Sequence, residues 1–262
     1  MATSVRELQE RGFGATLRKD AWWVAPALTA LVLGGFGVYA TWAAAVNANY
    51  EWGPYLSPFY SPLFEPWWWP LSPAFLILGV PLGFRVTCYY YRKAYYRAFF
   101  LDPVGCAVGE PRHDYRGETK LFLFQNLHRF FMYLAVLLIF ILSYDVFLAT
   151  GWPVAGVLPS GEMSPGPREF GIGLGTLVMA VNVVLLAGYT FGCHSLRHLI
   201  GGRVDCFSCA TAGRTRFHLW RLASVLNRNH MAWAWCSLFS VALTDLYIRL
   251  CAAGVITDIR IL

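Results

Sequence analysis

Residues 122–149 read FLFQNLHRFFMYLAVLLIFILSYDVFLA. Between Arg129 and Asp145 this stretch carries no charge, and it is longer than the roughly 20 apolar residues a helix needs to cross hydrocarbon. A lone segment inside a bilayer satisfies its backbone only as a helix. Four further segments qualify on the same grounds: Trp22 to Val46, Pro73 to about Phe99, Phe170 to Ile200, and about Phe217 to Val255. The expected fold is therefore an all-α integral membrane bundle of five transmembrane helices. No internal repeat or low-complexity tract divides it, so residues 1–262 are read as one domain. The second, fourth and fifth segments exceed what a bilayer requires, so they tilt or run on as helix beyond it.

Composition agrees. Hydrophobic residues make up 57% of the chain and charged residues 14%, against about 25% charged in soluble domains. Eleven Trp and fourteen Tyr suit two membrane–water interfaces, where amphipathic rings collect. The first apolar run follows a polar lead and is long enough to span, so it reads as an anchor and not a signal peptide.

Lys and Arg set the orientation. The lead carries Arg6, Arg11, Arg18 and Lys19. The second connection and its flanks carry Arg85, Arg92, Lys93, Arg97, Arg112, Arg116, Lys120 and Arg129. The fourth carries Arg197, Arg203, Arg214, Arg216, Arg221 and Arg228. Of 21 basic residues only Arg168, Arg249 and Arg260 fall on the other side. The positive-inside rule then places the N-terminus in the cytoplasm and the C-terminus outside. This asymmetry also accounts for the net charge of +6 without a nucleic-acid partner. The external loop Asn47 to Pro73, rich in Pro and aromatics including Trp67, Trp68 and Trp69, reads as a cap at the outer interface. The alternative is a lid over an outer quinone pocket.

Chemistry concentrates in residues 192–210, GCHSLRHLIGGRVDCFSCA. His194 and His198 stand four apart and share a helix face. Gly201 and Gly202 break the helix, and Cys206 and Cys209 follow in the loop. Two imidazoles and two thiolates are expected around one point. A structural zinc takes such a set, and so does a Rieske-type [2Fe–2S] cluster with two His on one iron and two Cys on the other. Spacing does not choose between them. Cys193 is a spare thiol able to replace one His. The plain alternative is unligated thiols beside interfacial histidines, and a disulfide is not expected in a reducing cytoplasm. Cys88, Cys106, Cys236 and Cys251 read as packing residues.

Other polar groups gather at the same membrane face. Tyr89, Tyr90, Tyr91, Arg92, Lys93, Tyr95, Tyr96 and Arg97 ring the end of the second helix. They read as an interface belt or as a surface buried under a partner protein. Asn126, His128 and Arg129 open the third helix; His218, Arg221, Asn227 and His230 open the fifth. His230, Asn227, Arg129, His128 and Arg85 are candidate quinone contacts, with snorkelling as the alternative for the two arginines. Asp145 and Asp245, at the outer helix ends, are either structural or part of a proton route. All six His lie in the cytoplasmic half, so two stacked haems lack ligands, while one haem between His128 and His230 keeps a ligand pair. No dinucleotide fingerprint or flavin domain is present, so the chain alone is not expected to oxidise a substrate. A transport role lacks charges at the midplane.

Three stretches carry a family resemblance: FRVTCYYYRKAYYRAFF (84–100), Gly117-Glu118-Thr119, and Gln125-Asn126-Leu127-His128-Arg129. Together they resemble the membrane-anchor subunit, of cytochrome b-like type, of an actinobacterial succinate dehydrogenase (complex II). The resemblance implies a place in the respiratory chain and tricarboxylic acid cycle, in the inner (cytoplasmic) membrane. It implies flavoprotein and iron–sulfur partner subunits on the cytoplasmic side, and menaquinone or ubiquinone as acceptor. It also implies a haemless anchor holding a Rieske-type [2Fe–2S] cluster, carried here onto His194, His198, Cys206 and Cys209, with Cys193 as substitute. Paired His followed by paired Cys departs from the interleaved soluble Rieske pattern. The basic aromatic end of helix two would dock the iron–sulfur subunit. A haem-binding quinone oxidoreductase subunit and a zinc-stabilised scaffold are the rival readings.

Overall fold

A computed structural model describes residues 12–101, 103–111, 121–158, 160–202 and 204–262, with only the backbone given for 121–125. Gly117-Glu118-Thr119 and the basic residues Arg6, Arg11, Arg112, Arg116, Lys120 and Arg203 lie outside the described residues, as does the side chain of Gln125. The described chain is mostly helical. Four helices are long and apolar enough to span a membrane, or five if one broken pair is taken as a single span.

Helix α1 (Val24–Val46) is apolar on all sides and buries only Ala43 and Ala44, as expected of a helix bathed in lipid. It ends at Asn47, whose left-handed backbone (φ 47) is one Asn tolerates as a helix stop. Helix α2 is Ala74–Val86 and α3 is Tyr89–Tyr95, prolonged by a π turn, Tyr96–Phe100. Helix α4 is Leu121–Leu148, α5 Leu174–Phe191, α6 His194–Gly201, α7 Gly213–Arg228 and α8 His230–Ala252. Three of the segments expected as single helices are thus interrupted, at Thr87-Cys88, Gly192-Cys193 and Asn229. Cys88 and Cys193 are extended (ψ 129 and 136), so neither continues its preceding helix.

The chain divides into two compact units, Met1–Tyr39 with Arg85–Leu127, and Ala40–Phe84 with His128–Leu262. In the first, the polar lead is zipped antiparallel to the segment after the π turn. Thr16 bridges Val108, and the Gly14 N–H donates to Gly109 O (3.0 Å). The Arg18 guanidinium donates to Cys106 O (3.0 Å). On α3, Tyr91 and Arg92 are buried while Tyr89 is exposed.

In the second unit α5 packs along α8. The Ser240 hydroxyl donates to the Asn182 carbonyl oxygen (3.1 Å) midway along the pair, satisfying a polar group that lipid could not. At one end lie two short hairpins, β1 (Glu51–Trp52) with β2 (Tyr55–Leu56) and β3 (Gly151–Pro153) with β4 (Arg168–Phe170). They close over a cluster of Tyr55, Ala149, Trp152, Met179 and Ile248. Asp258 joins this layer to the helices: it accepts from Tyr55 Oη (2.7 Å), Tyr247 Oη (2.5 Å) and the Gly175 N–H (2.9 Å). Its carboxylate thus sits on the positive N-terminus of α5.

The same layer holds Asp145 and Asp245. Ser61 donates to Asp145, and Ser57 to Asp245. Arg249 donates to Asp245 (2.8 Å), Ala43 O (2.7 Å) and Ala48 O (2.6 Å). Both carboxylates therefore tie the 47–73 loop to helix ends. The Tyr55–Ser61 half of that loop is buried, whereas Trp67 at its tip is 96% exposed. This division suits an interfacial cap.

Candidate functional site: a buried histidine and aromatic cluster

The opposite end of the second unit gathers buried polar and aromatic side chains. His128 comes from the first third of α4. Phe84 comes from the end of α2, Tyr189 from the last turn of α5, Cys193 from the break before α6, and His230 opens α8. The Phe84 ring stacks on His128 (4.7 Å, 5°) and meets Tyr189 edge-on (5.2 Å). Tyr189 stacks in turn on His230 (4.9 Å). His128 Nε2 lies 3.1 Å from Cys193 Sγ, and both residues are buried.

Glycine makes this density attainable. A Cβ on Gly188 would lie 2.6 Å from the Trp233 indole, and one on Gly192 would lie 2.7 Å from Gly188 O. The Asn227 side-chain amide donates to Gly192 O (2.7 Å), locking the chain break between α5 and α6 against α7. That bond gives the Asn227 N–H₂ group a structural role. Arg129 is half-buried. In the first unit, Arg85 donates to the Tyr91 hydroxyl and lies over its ring (5.3 Å), which is packing against an aromatic partner and not plain snorkelling.

The Cys-x-x-Cys segment is arranged differently from expectation. The 3₁₀ turn Phe207–Cys209 brings the Cα atoms of Cys206 and Cys209 to 5.3 Å, and the two are joined in a disulfide. Two free thiolates were expected there; a tight turn of this span places both sulfurs within bonding reach. His194 is exposed and His198 half-buried. The turn is held by α6 and α7: Phe207 packs on Phe217 and Trp220 (5.5 and 5.9 Å), and Arg197 lies over Trp220 (5.0 Å) and donates to Ser224 Oγ (2.8 Å). Among the described residues no three His, Cys, Asp or Glu side chains converge as a metal site. His128 is in contact with Cys193, and Cys206 is bonded to Cys209.

Sequence reading missed Phe84, Tyr189 and Trp233, and took Cys193 as a spare. The signals were present. Gly192 before Cys193 marks a helix break as plainly as Gly201-Gly202 does, and Trp233 follows His230 at helical spacing.

Several apolar helices, with His128 buried and His230 half-buried at one end, fit a multi-pass membrane subunit of the kind that anchors a respiratory complex. Residues 24–254 match the family described as actinobacterial succinate dehydrogenase subunit SdhC, and the chain belongs to that family. It is similar to a chain of the Mycobacterium smegmatis Sdh1 complex in the apo form, at 42% identity over 94% of each chain with a TM-score of 0.79. No curated protein matches.

Proposed function

We propose that this subunit of succinate dehydrogenase seats the flavoprotein and iron–sulfur subunits on the cytoplasmic face, binds menaquinone or ubiquinone, and places it within electron-transfer reach of them. The observation that carries this reading is the cluster of buried His128, Tyr189 and Cys193 with half-buried His230, in a chain that matches the anchor family over 24–254. The exposed aromatic and basic face of α3 supports docking of the iron–sulfur subunit. His230, His128, Arg129 and Arg85 remain the proposed quinone contacts, together with the carbonyl side of Asn227. The redox chemistry belongs to bound groups; the protein supplies position, dryness and hydrogen bonds.

A Rieske-type [2Fe–2S] group is part of the proposal. The set His194, His198, Cys206 and Cys209 does not fit it as arranged, because the two thiols are bonded to each other and one imidazole is exposed. Cys193 and His128 fit it in part: one thiol and one imidazole in buried contact, with His230 one ring beyond. Such a group, when bound, relays single electrons between the soluble subunits and quinone.

The test is low-temperature EPR with iron and labile-sulfide analysis on the dithionite-reduced anchor, stripped of its soluble partners. A rhombic [2Fe–2S] signal lost in His128→Ala and kept in His198→Ala places the group at the buried cluster; the reverse restores the Cys-x-x-Cys set. Zinc without iron reduces the site to a staple and sinks the relay. Haem bands transfer the ligand search to His128 and His230.

A further inference from the structure

The Trp233 indole nitrogen is buried and has no hydrogen-bond acceptor among the described residues. A buried donor left without an acceptor is costly, and inside a membrane water does not reliably repay it. Trp152 shares this property, but it sits in the loop layer at the other end of α8, packed with Tyr55 and Ile248. Trp233 stands one turn into α8, next to His230, and its ring lies flat against the bare backbone of Gly188. The start of α8 has no side-chain cap and no acidic residue in its first turn, and α7 ends at the same Asn229. Cys236, one turn further along the face that carries Trp233, is exposed, on a helix long and apolar enough to span the membrane.

We infer that Trp233 is the hydrogen-bond donor to a carbonyl oxygen of the bound quinone, a positioning residue beyond the contacts proposed above. The inference rests on the quinone-binding reading. A quinone matches each feature. Its carbonyl oxygen accepts the indole N–H. Its apolar tail leaves past Cys236 into lipid. As electrons arrive the oxygen gains negative charge, and the indole N–H holds it more strongly. The indole keeps its proton throughout; the protons of the quinol come from elsewhere.

The experiment uses the assembled complex with decyl-ubiquinone as acceptor, each rate normalised to succinate-driven reduction of phenazine methosulfate. Trp233→Phe keeps the ring and removes the donor. The KM for decyl-ubiquinone is expected to rise about tenfold. Gly188→Ala, which keeps the donor but displaces the ring, is expected to move KM in the same direction. Wild-type complex with ¹⁵N-labelled indole needs no substitution at all: its semiquinone should show a hyperfine coupling to that nitrogen. A KM within twofold of wild type in Trp233→Phe, with no ¹⁵N coupling in the labelled enzyme, overturns the assignment and leaves a buried water as the acceptor. If wild-type complex reduces phenazine methosulfate but not decyl-ubiquinone, the quinone reading falls first and this inference with it.

Discussion

Arg249→Met should cost the chain about 3–5 kcal/mol of stability, the range for stranding one partner of a buried ion pair. Arg249 is 5% exposed and Asp245 0%, so solvent does not replace what is lost. Removing the guanidinium leaves the Asp245 carboxylate with Ser57 as its remaining donor of those described above. It also withdraws charged donors from Ala43 O (2.7 Å) and Ala48 O (2.6 Å). The former belongs to the last turn of α1, where carbonyls lack intrahelical partners. Trp42 and Tyr60 lose the cation lying over their rings at 5.5 and 5.9 Å. Asp245→Asn should cost less, because an amide oxygen still accepts from Arg249 and Ser57. The double variant should cost less than the sum of the two by about 1–3 kcal/mol, since no uncompensated charge remains. The assay is SDS-induced unfolding of the purified complex, followed by tryptophan fluorescence. A loss below about 1 kcal/mol for Arg249→Met, the level of an exposed pair, would refute the buried-clamp argument. Strict additivity in the double variant would do the same.

Two further outcomes follow from local geometry. Gly213→Ala puts a Cβ against the Phe207 carbonyl, so it should loosen the Cys206–Cys209 turn; proteolysis after residue 203 and before residue 213 should accelerate while the α5–α8 core keeps its stability. Cys106 is exposed and free, whereas Cys88, Cys193 and Cys251 are buried. A membrane-impermeant maleimide should therefore label Cys106 in inverted vesicles and not in intact cells, and labelling from outside would overturn the N-in topology.

The bundle was legible from sequence because hydrocarbon imposes one rule on every spanning segment, and 122–149 obeys it without interruption as α4. What periodicity could not deliver were the breaks. In residues 73–99, 170–200 and 217–255 the stops at Thr87-Cys88, Gly192-Cys193 and Asn229 fall where apolar and polar sequence meet, a change that also suits a helix running on beyond the bilayer. Only local backbone demands mark them, as at Gly192, where the packed backbones leave no room for a Cβ.

The arrangement of the polar side chains was hidden for a related reason. Sequence proximity drew attention to His194, His198, Cys206 and Cys209, because neighbours in a chain are easy to imagine around one metal. The breaks redirect those residues: His194 turns outward, and the Cys-x-x-Cys turn closes on itself. They bring inward Cys193, which meets His128 from a helix some sixty residues earlier. In a membrane bundle a polar side chain is better judged by the helix end that delivers it than by its neighbours in sequence. Phe84, His128, Tyr189 and His230 come from four separate helices and form one continuous run of ring contacts, and α2, α4, α5 and α8 each deliver one of its rings from the same end. On that criterion His230 and Trp233, one helical turn apart at the mouth of α8, are the positions where electron transfer to quinone should prove most sensitive to substitution.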